Sequence, residues 1–226
     1  YISEVLETEN IFPESENIER LYCEYSNSKK ETKLEFNNHK KSNLGKIVPN
    51  TIIDQFFNHK IMSNSQCIHV SDHQEINPQI NDNRITISDK TGQIKSASLL
   101  FYSASRQENN LLSNFDFVEK KLDQIAISAS VNVKRLQHNL AYQIFTKDGP
   151  AALLPIQNDE ASVVWSLNKN SSILNLSQND LESRLKKLFE NHISEIKIKN
   201  LQTQELSFSY AKKMYQDKIV LIGNIA

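Results

Sequence analysis

The sequence predicts a mixed fold, part α+β and part α/β, and three observations predict it. Residues Leu122 to Val133 set apolar side chains at Ile125, Ile127, Ala129, Val131 and Val133, a period of two held over nine positions. Ser177 opens a stretch in which Leu181, Leu185, Leu188, Phe189 and His192 recur at helical spacing. The final segment, Lys218 to Ala226, is an apolar run closed by Gly223-Asn224, the pattern of a strand buried on both faces in a parallel sheet.

Taken in order, Ile18, Leu21, Cys23 and Tyr25 begin an irregular alternation, and Glu31 to Phe36 alternates as well. The polar tip Ser26-Asn27-Ser28-Lys29-Lys30 between them predicts a hairpin. Asn50, after Pro49, is placed to cap a helix over Thr51 to His59 with an apolar stripe of Ile52, Ile53, Phe56 and Phe57. A brief strand is expected over Cys67 to Ser71. Arg84 to Asp89 and Ile94 to Tyr102, joined through Lys90-Thr91-Gly92-Gln93, form a second hairpin. The long strand near Leu122 to Val133 is followed by strands at Leu140 to Thr146, Ala151 to Ile156 and Ser162 to Leu167. The turn formers Asp148-Gly149-Pro150 and Asn158-Asp159 separate them, so the group reads as an antiparallel meander. A helix over Gln178 to Ile193 and extended segments around Ile196, Ile198, Leu206, Phe208 and Tyr210 complete the chain. A buried terminal strand wants a covering element after it, so the sequence reads either as a piece of a longer chain or as ending on an edge strand.

Composition narrows the function classes. Twenty-six basic and twenty-seven acidic residues leave a formal charge of −1, so no bulk field draws the chain to nucleic acid. Only four glycines are present, Gly45, Gly92, Gly149 and Gly223, where average usage would give roughly sixteen. They are too far apart for a GxGxxG turn or a P-loop. Two cysteines, Cys23 and Cys67, make no disulfide framework and no CxxC, which suits a reducing cytoplasm. His69 and His73 have an i, i+4 spacing without a third ligand, so no metal is expected. Asp54, Asp116 and Asp123 stand alone, and no G-x-S-x-G elbow surrounds a serine. No catalytic residue is assignable from spacing.

The stretch Tyr142-Gln143-Ile144-Phe145-Thr146-Lys147-Asp148-Gly149-Pro150-Ala151-Ala152-Leu153-Leu154-Pro155-Ile156, followed by Ser162-Val163-Val164-Trp165, resembles a pattern of the ubiquinone-biosynthesis flavin hydroxylases, F-T-x-x-G-P-L-A-x-L-P-L and then S-x-V-W. Leu44-Gly45-Lys46-Ile47-Val48-Pro49-Asn50 is similar to that family's L-G-x-V-V-x-N, and Lys218 to Ala226 to the opening of its G-[DN]-A-A-H segment.

The resemblance implies a p-hydroxybenzoate-hydroxylase-like fold, in which a flavin-binding domain is interrupted by an antiparallel substrate-binding sheet with a flanking helix. It implies FAD as cofactor, NAD(P)H and O₂ as co-substrates, and ring hydroxylation of a polyprenyl phenol. It also implies a cytoplasmic enzyme with peripheral contact at the inner membrane surface and with other ubiquinone-biosynthesis proteins. The implied cofactor contacts are Val48, Asn50, Gly223 and Asn224, and the implied substrate lining is Tyr142, Phe145, Pro155 and Trp165. For Trp165 and its strand neighbours, burial in a core is the competing reading. The implied domains are a partial FAD-binding domain over 1–115 without its first GxGxxG unit, the substrate sheet over 116–212, and a returning strand over 213–226. The family's A-D-G-x-x-S fingerprint falls on Ser103-Ala104-Ser105-Arg106-Gln107-Glu108, where Ala104 replaces the aspartate, Ser105 the glycine and Glu108 the serine. A non-catalytic relative that binds quinone precursors or serves in assembly is the alternative.

Overall fold

A computed structural model describes residues 15–26, 31–37, 43–66, 79–81, 84–88, 94–103, 112–157 and 159–226. It is mostly sheet, with two α-helices among the described residues. The chain forms two compact units, residues 1–68 with 123–206 and residues 69–122 with 207–226. The strand called for at Cys67 to Ser71, His69 and His73, and the Ala104-Ser105 loop with Glu108 lie outside the described residues.

The first unit is built on a seven-stranded sheet. Its strands are β2 (Arg20–Ser26), β3 (Glu31–Asn37), β9 (Phe117–Lys134), β10 (Leu140–Thr146), β11 (Gly149–Pro155), β12 (Glu160–Asn168) and β13 (Glu195–Ala211), in the order β13-β9-β12-β11-β10-β2-β3. Strands β10, β11 and β12 form the antiparallel meander, with Ala151 opposite Trp165 and Leu153 opposite both Val163 and Tyr142, whereas β9, expected to lead into it, pairs with β12 and not with its chain neighbour β10. The expected hairpin β2–β3 also forms. Sequence periodicity does not reveal where it goes: β2 adds to the meander in parallel, Tyr22 opposite Tyr142. Asn139 starts that pairing. Its carbonyl accepts the Glu19 and Arg20 N–H groups at 2.8 and 3.2 Å, and its side-chain amide donates to Glu19 Oε2 at 2.8 Å.

Two further elements of this unit are the short pair β1 (Glu16–Ile18) with β4 (Gly45–Ile47) and helix α1 (Asn50–Ser63). Asn50 does not cap α1. Pro49 occupies that position at φ −59° and no side chain bonds the first turn, so the ring-fixed backbone starts the helix and Asn50 is its first residue. No residue of α1 is buried. Helix α2 (Gln178–Leu188) is capped as its sequence predicts, Ser177 Oγ accepting from Asp180 N–H at 3.2 Å. It ends five residues before the expected Ile193. Phe189 leaves helical geometry to bury its ring fully, and the Phe189 carbonyl accepts both His192 and Ile193 N–H groups.

α2 covers one face of the sheet. Leu181, Leu185, Phe189 and Ile193 pack with Ile127, Ala129, Val131, Leu153, Val163, Trp165, Ile196 and Ile198 into one core. Glu182 is buried beside it and satisfied: the Ile198 N–H donates to one carboxylate oxygen at 2.9 Å and Lys197 Nζ to the other at 2.8 Å. These two bonds hold its carboxyl below the usual carboxylate range.

Strands β9 and β13 run longer than alternation predicts. Residues 119–124 and 199–205 are exposed throughout, so no buried parity marks them, and both are extended because they are neighbours in one sheet.

The second unit holds β5 (Gln79–Asn81), β6 (Arg84–Ser88) and β7 (Ile94–Ala97), paired antiparallel, and a three-stranded sheet of β14 (Tyr215–Gln216), β15 (Ile219–Leu221) and β8 (Leu100–Tyr102). The expected second hairpin arm is broken at Ser98-Leu99, where β8 departs to pair with β15. The terminal strand is parallel to β8, as its apolar run predicts, and β14 flanks its other side, so it is not an edge among the described strands. Ile219 and Leu221 bury with Ile85, Leu112, Phe115, Ala211 and Ile225.

Candidate functional site

A sheet covered by a helix on one face leaves its other face to be accounted for. In strands β9 to β12, odd positions of β9, β11 and β12 and even positions of β10 face α2, while the opposite parity forms a second surface. That surface carries Gln143 and Phe145 from β10, Ala152 and Leu154 from β11, Ser162, Val164 and Ser166 from β12, and Ala126, Ser128 and Ser130 from β9. Apart from Phe145 and Ser130, which are exposed, these side chains are half-buried. Two rows cross it in register: Gln143–Ala152–Val164–Ser128 and Leu154–Ser162–Ser130. The surface is apolar and hydroxyl-bearing, uncharged across its centre, and each of its strands is paired on both sides. Its chemistry is that of an apolar contact surface carrying hydroxyl and amide groups that can hydrogen-bond.

Of the four expected lining residues, Phe145 alone stands on this face, 40% exposed. Tyr142, Pro155 and Trp165 face α2, and Trp165 is fully buried with its Nε1 donating to the Gly149 carbonyl at 3.3 Å. Thr146 Oγ1 donates to the same carbonyl at 2.7 Å. The motif that carries the family resemblance is therefore bound together at Gly149. Tyr142, 3% exposed, lies against His192 with ring centroids 4.2 Å apart, and Tyr22 meets the same imidazole edge-on at 5.0 Å.

His192 Nε2 is buried without a hydrogen-bond partner. Burial pushes this imidazole below its ordinary value, Glu24 opposing and Lys33 reinforcing the shift. The fold thus favours the neutral imidazole, and the unfolded chain binds its proton more readily. Stability is expected to be whole above about pH 6.5 and to fall as the pH drops through 6.5 toward the lower folded value. Glu182, with its depressed carboxyl, loses its contribution only below about pH 4.5, so the two windows separate. Denaturant midpoints between pH 7.5 and 5.0 check this: His192→Phe should flatten the slope, and an unchanged slope would show that His192 is not its source.

The expected cofactor contacts fall in both units. Val48 is half-buried after β4 and Asn50 is exposed at the start of α1. In the second unit, Gly223 adopts φ +68° and opens a 3₁₀ turn, Gly223–Ile225, with Asn224 exposed. An added Cβ at Gly223 would meet only Ser103 Cβ at 3.8 Å, so the backbone conformation rather than crowding calls for glycine. This turn leaves Gly223 and Asn224 exposed, and no glycine-rich cradle for a pyrophosphate is found among the described residues. Among them, no cluster of three or more His, Cys, Asp or Glu side chains is arranged to hold a metal.

No protein-family model matches the chain. Solved structures do resemble it. The flavin-dependent monooxygenase PieE, solved with FAD and substrate, aligns over 92% of this chain and 41% of its own, with a TM-score of 0.63 at 10% identity. A triple mutant of the flavin-dependent brominase Bmp2 aligns over 93% of this chain and 56% of its own, with a TM-score of 0.62 at 15% identity. The p-nitrophenol 4-monooxygenase PnpA from Pseudomonas putida gives 79% and 47%, with a TM-score of 0.58 at 11% identity. The fold is similar to part of the fold of these flavin-dependent enzymes. The chain spans about half the length of these neighbours. No helix among the described residues is long and apolar enough to cross a membrane.

Proposed function

We propose that this chain carries the substrate-covering sheet of an FAD-dependent aromatic-ring hydroxylase of the ubiquinone-biosynthesis type, acting on a polyprenyl phenol with NAD(P)H and O₂. The observation that supports it best is the second face of the seven-stranded sheet, opposite the one that α2 covers, half-buried and apolar with hydroxyl groups. In this reading Phe145, Leu154 and Val164 pack against the ring and exclude water from it, while Ser162, Ser166 and Gln143 orient its oxygen substituents. Tyr142, Pro155 and Trp165 stiffen the sheet from behind. Val48 and Asn50 in the first unit, and independently Gly223 and Asn224 in the second, are each candidate flavin contacts within their own unit. FAD, when bound, supplies the redox chemistry, and the protein's part is to bind, orient and shield. No residue of this chain is assigned to the FAD pyrophosphate or to NAD(P)H. Contact with a membrane surface or with other enzymes of the pathway follows from the long apolar tail of such a substrate.

The departures at Ala104, Ser105 and Glu108 favour a second reading, a non-catalytic relative that binds a quinone precursor. One experiment separates the two. The longest reading frame containing this chain is purified and its absorbance recorded near 450 nm, about where bound flavin absorbs, together with binding of a prenylated phenol. Flavin retention together with phenol binding that Val164→Trp abolishes supports the hydroxylase. A colourless folded protein that still binds the phenol supports the second reading, and a protein that binds neither overturns both.

A further inference from the structure

We propose that β3 is a docking edge for a second copy of this chain, the two β3 strands pairing antiparallel about a twofold axis at Leu34. The inference stands on the first unit alone and does not depend on the flavin reading.

β3 closes one end of the seven-stranded sheet. All seven of its residues pair with β2 on one side, and no described strand pairs with its other side. Its outer row of backbone N–H and C=O groups is a template for another strand. Proteins keep such an edge monomeric with proline, a bulge, short length or charged side chains, and of these β3 has only the charges, Glu31, Lys33 and Glu35. β3 has no proline, its register with β2 is unbroken over seven residues, and it presents Leu34 at 54% and Phe36 at 50% exposure. The exposed apolar side chains continue inward along the same face, Tyr25 beside Phe145, so the edge borders an apolar strip and not an isolated residue.

The charges select the partner and the register. In an antiparallel pair, residues that face each other share hydrogen-bonding direction, so a homotypic pairing is centred on a residue. Centred on Lys33, the pairing would set Lys33 against its own copy and Glu31 against Glu35. Centred on Glu35, it would oppose the two Glu35 carboxylates. Centred on Leu34, it sets Lys33 against Glu35 twice, Glu31 against Asn37, Thr32 against Phe36, and Leu34 against Leu34. Of the registers that overlap five or more residues, only this one contains no like-charge pair, and like charges directly opposite are destabilising. It also uses all seven residues. The charges behind it fit: Glu35 accepts from Arg20 at 3.3 Å, and Glu24 lies opposite Lys33 in β2. Across the axis the order becomes Glu24, Lys33, then Glu35 and Arg20 of the second copy, alternating in sign. The strand is thus complementary to itself, which is the requirement of a twofold interface.

Sedimentation of the full chain from about 1 to 100 μM tests this. A dimer is expected, weakened at least about tenfold by Lys33→Glu or by Glu35→Lys, since symmetry doubles each repulsion. The double reversal Lys33→Glu with Glu35→Lys should restore it. As a second readout, Leu34→Cys should crosslink to its copy under mild oxidation, with the unchanged chain as control for Cys23 and Cys67. A monomer throughout the range, a dimer indifferent to both single reversals, a double reversal that does not recover, or no Leu34→Cys crosslink would each overturn the proposal.

Discussion

Gly149→Ala is expected to destabilise the chain by on the order of 3–5 kcal/mol, enough to leave little folded protein. Gly149 sits at φ +130°, a conformation that L side chains rarely adopt, and an added Cβ would lie 1.9 Å from the Ser166 carbonyl oxygen and 3.0 Å from its carbon. The obstacle is backbone, and it belongs to β12, which is paired on one side with β11 and on the other with β9. Relief by moving β12 would break two ladders, and relief by moving the turn would break the bonds that Thr146 Oγ1 and Trp165 Nε1 make to the Gly149 carbonyl. Gly45→Ala is the control. Nothing lies within 4 Å of a Cβ there, so its effect should stay within about 0.5 kcal/mol. Urea denaturation of both variants makes the comparison, and a Gly149→Ala midpoint equal to that of the unchanged chain would refute the close approach of the turn to β12.

The second large effect is at Trp165. The side chain is fully buried, bounded by the sheet and the residues of α2, and truncation to alanine is expected to cost about 3–5 kcal/mol through the cavity it leaves. Trp165→Phe should cost less, about 1–3 kcal/mol, because most of the volume remains and the Gly149 carbonyl keeps its bond from Thr146. Trp165 is the sole tryptophan, so its fluorescence reports the core directly. Emission should be that of a buried indole in the folded chain and shift to the red on unfolding. These variants also distinguish a supporting residue from a lining one: a residue behind the sheet lowers stability first, whereas one on the open face alters ligand binding at unchanged stability. Phe145→Ala, on that open face, is the natural comparison.

The legible part of this protein is the part whose physics is local. The period of two over Ile125 to Val133, the turn formers at Asp148-Gly149-Pro150, and the Ser177 cap with its leucine stripe each appear in the structure as strand, turn and helix. The terminal apolar run became a strand parallel to β8. The helix boundaries differ from those read in the sequence: the ring-fixed backbone of Pro49 takes the cap of α1 from Asn50, and α2 ends at Leu188 with Phe189 buried just beyond it. The outer parts of β9 and β13 carried no alternation because neither of their faces is buried.

The two faces of the sheet were not distinguishable in the sequence for a related reason. Alternation sorts Ala151, Leu153, Val163 and Trp165 onto one face and Ala152, Leu154 and Val164 onto the other, and both sets are apolar. Nothing in either set says which face a helix will cover. The family-like motif joins residues of both parities, Phe145 on one face with Tyr142 and Trp165 on the other.

Residue order alone thus establishes which segments extend, which coil, and that no phosphate-gripping glycine loop is present. Three matters emerged only on folding: the parity hidden beneath α2, the parallel addition of β2 to β10, and the convergence of Thr146, Trp165 and Ser166 on Gly149. Each depends on contacts between residues distant in the chain, whose free energy is set by what surrounds them in space and leaves no trace in the spacing of their neighbours.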